Sequence, residues 1–190
     1  MEKRLQDMTL EELWELFPII LVPHNDLWES WFQEKEAEIR SYVSPQHLKR
    51  ISHIGSTALT LIKAKNIVDI LLEVPGEEDF NLVLGILETK GWILMHQESG
   101  RASLNQGYTE EGFSEKVFHL HLRLAGDNDE IYFRDYLREH PEVAKEYEIL
   151  KLNLEKKYRN NRDAYTEAKT DFISKYTRIA QSDLENKKAE

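Results

Sequence analysis

The chain has 190 residues, of which 41% are hydrophobic and 32% charged, with a formal net charge of −10. That length suits one well-buried core and is short for two, and the apolar content argues against disorder except in the tail. The net negative charge opposes binding to long nucleic acid, whose affinity comes largely from cations neutralising phosphates. The absence of cysteine removes disulfides, thiolate metal sites and a thiol nucleophile, and fits a reducing compartment.

The acid excess is uneven. It lies mostly in residues 1–126, whereas residues 127–190 are close to balanced and can present cations to a small phosphorylated ligand. The N-terminal stretch is interrupted by Asp7, Glu11, Glu12 and Glu15, so no signal peptide is expected, and no run approaches the roughly 20 apolar residues of a membrane span. A cytoplasmic protein without a membrane partner is the expectation.

In chain order, Thr9 and Glu12 have capping-box spacing ahead of Leu10, Leu13, Trp14 and Phe17, predicting a helix that ends before Pro18. Asp26 with Glu29 repeats that signal for a helix to about Tyr42, whose stripe Leu27, Trp28, Trp31 and Phe32 reads as core. Strands follow at Lys49–Ile54, Ile67–Val74 and Trp92–Gln97, with a helix over Glu77–Lys90 stopped by Gly91. Arg101–Gln106 and Lys116–Ala125 form a further strand pair. In the second, Phe118, Leu120, Leu122 and Leu124 alternate with His119, His121 and Arg123. Beyond Asp127 the pattern is helical, with a break at Pro141, a helix over Glu142–Tyr158 and another over Asp163–Ile179. The expected fold class is mixed α/β (α+β): one domain over residues 1–180, a mixed sheet flanked by helices, with a frayed tail over 181–190.

The chemistry centres on His53-Ile54-Gly55-Ser56-Thr57-Ala58, where a Gly-Ser turn directly after a strand lets backbone N–H groups and small hydroxyls approach a phosphate. Asp69 stands within the apolar strand Ile67–Leu72, where a carboxylate needs compensation by a cation, a hydrogen-bonding partner or a metal. A Gly-Ser turn followed by an acid-bearing strand is the skeleton with which nucleotidyltransferases hold a nucleoside triphosphate and Mg²⁺.

The segments HIGSTA with Lys65 and IVDI, then HLHLR, then FRDYLREHPEVAKEYEILKLNLEKKYRNNRDAYTEAKTDFI together resemble the GrpB family across about Pro23 to Ile173. The resemblance implies a nucleotidyltransferase-like fold. It aligns Gly55 and Ser56 with the Gly-Ser turn and Asp69 with the first carboxylate of an Asp-x-Asp or Asp-x-Glu pair. The second carboxylate is missing, because position 71 is Leu71. Two acids two residues apart on one strand face are what holds two Mg²⁺ ions for in-line displacement. Glu73 shares that face but lies about 13 Å away along an extended strand, so it reads as a surface or strand-end charge.

His119 and His121 share one strand face. Neutral imidazoles there would complete a metal site with Asp69 favouring Zn²⁺, Mn²⁺ or Fe²⁺ over Mg²⁺, or would simply hydrogen-bond at a half-exposed face. His53 either touches phosphate or turn backbone, or packs. Lys65 and Arg123 are the first candidates to neutralise phosphates, then Lys169, with Arg101 and Lys151 also in suitable segments. Tyr147, Tyr158 and Tyr165 read as packing residues.

The expected function is nucleotidyltransferase-like, binding a nucleotide or other phosphorylated small molecule with a divalent metal (Mn²⁺, Zn²⁺ or Mg²⁺), Asp69 being catalytic. The alternatives are a catalytically silent nucleotide- or metal-binding module and a His-x-His metal-dependent hydrolase. A connection to coenzyme A is implied by family members fused to a dephospho-coenzyme A kinase domain.

Overall fold

The computed structural model describes residues 3–189. Helices α1 (Leu10–Leu16) and α2 (Leu27–Tyr42) precede strands β1 (Arg50–Ile54) and β2 (Val68–Val74). Helix α3 (Glu77–Thr89), strands β3 (Ile93–Glu98), β4 (Arg101–Thr109) and β5 (Gly112–Leu124), and helices α4 (Asp129–Glu139), α5 (Pro141–Tyr158), α6 (Arg162–Glu167) and α7 (Thr170–Ala189) complete the chain. The strands form one mixed sheet in the order β1-β2-β5-β4-β3, in which only the β2–β5 pairing is parallel.

Side chains alternate across a strand, so this register sorts the sheet into two faces. On one face Val68, Ile70, Leu72, Phe118, Leu120, Leu122, Ala102 and Leu104 pack against Trp28, Trp31, Phe32 and Ile39 of α2 and Phe80, Val83 and Leu87 of α3. The other face of β2 and β5 carries Asp69, Leu71 and Glu73 beside His119, His121 and Arg123. There a second cluster forms from Phe133, Leu137, Val143, Ala144, Tyr147 and Tyr176 of the C-terminal helices with Leu59 and Ile62. The apolar alternation of β2 and β5 thus builds the core, and their polar positions lie on the C-terminal helices' side of the sheet.

The capping box predicted at Thr9 and Glu12 is present. At α2 the cap differs. Asp26 is already helical in its backbone and makes no side-chain cap, while Asn25 Oδ1 accepts from the Leu27 amide at 3.0 Å. The final predicted helix is interrupted at Ala168-Lys169, between α6 and α7, and α7 continues to Ala189 where fraying from Gln181 was expected. Gln181 donates to Asp129 Oδ1 at 2.7 Å, tying the start of that stretch to α4; Glu190 lies outside the described residues. Glu73 is also not a surface charge: it is 1% exposed, and it accepts from Arg50, the Gly126 amide and Asn128. None of the helices among the described residues is long and apolar enough to cross a membrane.

Candidate functional site

Gly55 ends β1 with φ +70°, and a Cβ there would stand 2.4 Å from Asp69 Oδ2. Only glycine lets the turn approach this carboxylate so closely. Ser56 opens a 3-10 turn to Ala58. Asp69 pairs with Ile54 on one side and His119 on the other, and Leu71 pairs with His121. Gly55, Ser56, Asp69, His119 and His121 therefore line one cavity of about 580 Å³ between the sheet and the C-terminal helices. Lys65, Lys151, Lys169 and Arg162 line the same cavity.

The lysines arrive from three segments. Lys65 sits in the loop before β2, held by the Val22–Ala64 bridge and by Trp28 Nε1 donating to Asn66 Oδ1 at 2.6 Å. Lys151, 2% exposed on α5, donates to Ser56 Oγ at 2.9 Å and to the Lys63 carbonyl. Lys169 occupies the α6–α7 break. Its ammonium lies 4.5 Å from the centroid of the Tyr165 ring, with Lys65 at 5.7 Å from the same ring. Burial lowers all three amines, and neighbouring cations add to it: Lys151 falls to about 7 and Lys169 to about 8, while Lys65 is held well below the usual range by burial, Arg162 and Lys169. Burial pushes the Asp69 carboxyl up, but the adjacent His119 and His121 side chains outweigh it and hold Asp69 well below the usual range.

His119 Nδ1 lies 3.4 Å and His121 Nε2 3.7 Å from Asp69 Oδ1. The far nitrogens are engaged too. His119 Nε2 meets Tyr108 Oη at 2.7 Å and Arg162 Nη2 at 3.3 Å, and His121 Nδ1 meets Arg123 Nη2 at 3.5 Å. A guanidinium has donors only, so these contacts favour an acceptor at each far nitrogen and an N–H on the Asp69 side of the ring. Burial lowers His119 to about 4, with Arg162 and Lys65 opposing its charge and Asp69 favouring it, which keeps the ring neutral near pH 7. Among the described residues no cluster of three or more His, Asp or Glu side chains is arranged to hold a metal ion. The histidines thus converge on Asp69 as expected, while the far nitrogen of each is turned to a guanidinium.

Three other candidates stand elsewhere. Arg123 is buried and donates to the carbonyls of Ala102 and Leu122, with Glu130 at 3.5 Å and Asp127 at 3.9 Å, so it is neutralised inside the protein rather than aimed at a ligand. Arg101 makes a bidentate pair with Asp127 outside the cavity. His53 lies on the core face of β1, stacked on Phe32 at 5.0 Å and bonded to the Thr57 hydroxyl at 2.9 Å, which is the packing reading. Arg162 was missed by the sequence reading, although the Asn160-Asn161-Arg162-Asp163 turn signal preceding α6 marks where a side chain can be redirected. Tyr147 and Tyr165 are buried as expected of packing residues, yet both also line the cavity.

Residues 18–178 match the family described as GrpB protein. The chain belongs to the GrpB family. It is 34% identical over 160 residues to the glutamate-rich protein GrpB of Alkalihalophilus pseudofirmus, covering 82% of this chain and 91% of that one. It is 29% identical over 170 residues to the UPF0157 protein YqkA of Bacillus subtilis, covering 86% of this chain but only 48% of that longer protein. Among solved structures it is similar to the conserved protein GrpB from Enterococcus faecalis, with a TM-score of 0.74 at 26% identity, covering 87% of this chain and 99% of that one. The Gly-Ser turn, helices α4, α5 and α6 and the first half of α7 lie inside the GrpB match.

Proposed function

We propose that this GrpB-family protein is a nucleotidyltransferase-like binding protein for a nucleotide or other phosphorylated small molecule. The observation that carries this reading is the charge of the cavity: Lys65, Lys151, Lys169 and Arg162 face one space with Asp69, beside a Gly-Ser turn. Of the other carboxylates on its wall, Asp129 accepts from Gln181 and Glu130 faces Arg123. Cations crowded together at the cost of their own protonation are stabilised by a ligand carrying several negative charges. The apolar wall, with Leu21, Leu59 and Phe133, gives the remainder of such a ligand a dry surface.

Transfer by two Mg²⁺ ions lies outside the means of this site. Leu71 is 0% exposed where the second carboxylate belongs, and Glu73 is committed to Arg50, Gly126 and Asn128. The imidazole protons facing Asp69 likewise give the His-x-His hydrolase reading no support. A silent module, with coenzyme A-type phosphates among its candidate ligands, is therefore favoured over an active transferase.

Thermal denaturation with nucleoside mono-, di- and triphosphates, coenzyme A and unphosphorylated nucleosides tests the reading. A ligand at 100 times its Kd adds about 2.7 kcal/mol, which for a chain of this size raises Tm by about 5–10 °C. Phosphorylated ligands are expected to give the shift and nucleosides none. Equal shifts from nucleosides, or no shift from any phosphorylated ligand, would sink the proposal.

A further inference from the structure

We propose that the cavity binds the phosphates of its ligand without a divalent metal ion, its lysines and Arg162 occupying the electrostatic role a metal ion plays in related folds. The inference rests on the phosphate-binding reading above and adds a property that reading does not require.

The first ground is the ligand inventory around Asp69. A metal ion needs lone pairs, and the two imidazole nitrogens 3.4 and 3.7 Å from Asp69 Oδ1 have donor-only guanidiniums at their far nitrogens, at 3.3 and 3.5 Å, which favours the tautomer whose proton is on the Asp69 side. The other tautomer of either ring would place an N–H against Arg162 or Arg123. The hydrogen bond from Tyr108 Oη to His119 Nε2 at 2.7 Å fixes His119 further. The two rings are thus built to hold the Asp69 carboxylate in place. One aspartate alone leaves a hard cation short of the several protein oxygens it prefers.

The second ground is charge. Lys65, Lys151 and Lys169 each lose basicity through burial and through the cations beside them, and Asp69 opposes that loss in all three. A dication added beside Asp69 would meet Lys65, Lys151, Lys169 and Arg162 with that one carboxylate to hold it, since Asp129 and Glu130 on the same wall are engaged by Gln181 and Arg123. A phosphate chain meets complementary charge directly, and charge-assisted hydrogen bonds from ammonium and guanidinium groups supply what Mg²⁺ supplies elsewhere. Asp69 then acts as the counter-ion that keeps the lysines protonated for their ligand.

Calorimetric titration of inorganic tripolyphosphate and of ATP into the full chain, with EDTA in one arm and millimolar Mg²⁺ or Mn²⁺ in the others, reads this out. The expected affinity with chelator is equal to, or higher than, that with metal, within about threefold. Equilibrium dialysis of Mn²⁺ alone is expected to show no binding that His121→Ala removes. Loss of tripolyphosphate and ATP affinity by about tenfold or more in EDTA, or stoichiometric Mn²⁺ binding abolished by His121→Ala, overturns metal independence and leaves the phosphate site standing. Absence of phosphate binding in every arm overturns the site itself, and this inference with it. Asp69→Asn is expected to weaken tripolyphosphate binding in EDTA, and a variant that binds more tightly there would show Asp69 to be merely a repelling charge.

Discussion

The double variant Arg162→Met, Lys169→Met is expected to lose at least about 100-fold in affinity for a nucleoside triphosphate, since each hydrogen bond to a charged group contributes about 1.5–3 kcal/mol. Titration calorimetry measures it. The free protein should behave in the opposite sense. Lys169 is a half-buried amine pulled down to about 8 by desolvation and by Arg162, with Asp69 favouring its charge. Replacing half-buried, mutually repelling cations by apolar chains of similar length relieves desolvation and repulsion, so the apo variant should melt no lower than the wild type. Weakened binding together with a markedly lower Tm would make the pair structural; unchanged affinity would remove them from the site.

Trp28→Ala is the substitution expected to cost the fold most, about 3–5 kcal/mol, through lost burial and the cavity it leaves. The indole is 0% exposed in the main core. Its Nε1 also donates to Asn66, and removing it leaves that amide oxygen without this partner. For a chain of this length the loss corresponds to a fall in Tm on the order of 10 °C. A destabilisation below about 1 kcal/mol, measured by urea unfolding, would show that the site collapses around the missing ring more completely than protein interiors generally do. Because Asn66 adjoins Lys65, the same variant tests whether the loop bearing that lysine relies on the core for its position.

The sheet and the heart of the site were legible in the sequence because both follow from a period of two. Once Ile70 and Leu72 are placed inward on one strand and Leu120 and Leu122 on another, Asp69, His119 and His121 must share the opposite face. The Gly-Ser turn could be put beside Asp69 for the same reason, Ile54 being its partner across β1 and β2. What stayed hidden depends on contacts between segments distant in the chain. Arg123 has the same periodic position as the histidines, but Asp127 and Glu130 fold back beside it from the start of α4, and alternation within a strand carries no information about that. The α6–α7 break has no glycine or proline to announce it, so the reading ran one helix through the point where Lys169 enters the cavity. The histidine protons were hidden most completely. Their placement depends on Arg162 and Arg123 at the outer nitrogens, and a ring's tautomer is set by its partners rather than by its sequence neighbours.

The depressed basicity of Lys151 and Lys169, at about 7 and about 8, makes the free cavity a partly discharged acid–base buffer at neutral pH. A polyanion seated among these amines raises their affinity for protons, so association draws protons from the solution. The sign follows directly: raising the pH from below 7 to above 8 strips protons from the free protein that the complex must recover, and affinity falls over that interval. Proton uptake also leaves a calorimetric trace independent of affinity. The heat of binding at pH 7.5 should differ between Tris and PIPES, buffers of unlike ionisation enthalpy, and the slope of heat against that enthalpy counts the protons taken up; a slope of zero would mean that both lysines are already fully charged in the empty cavity.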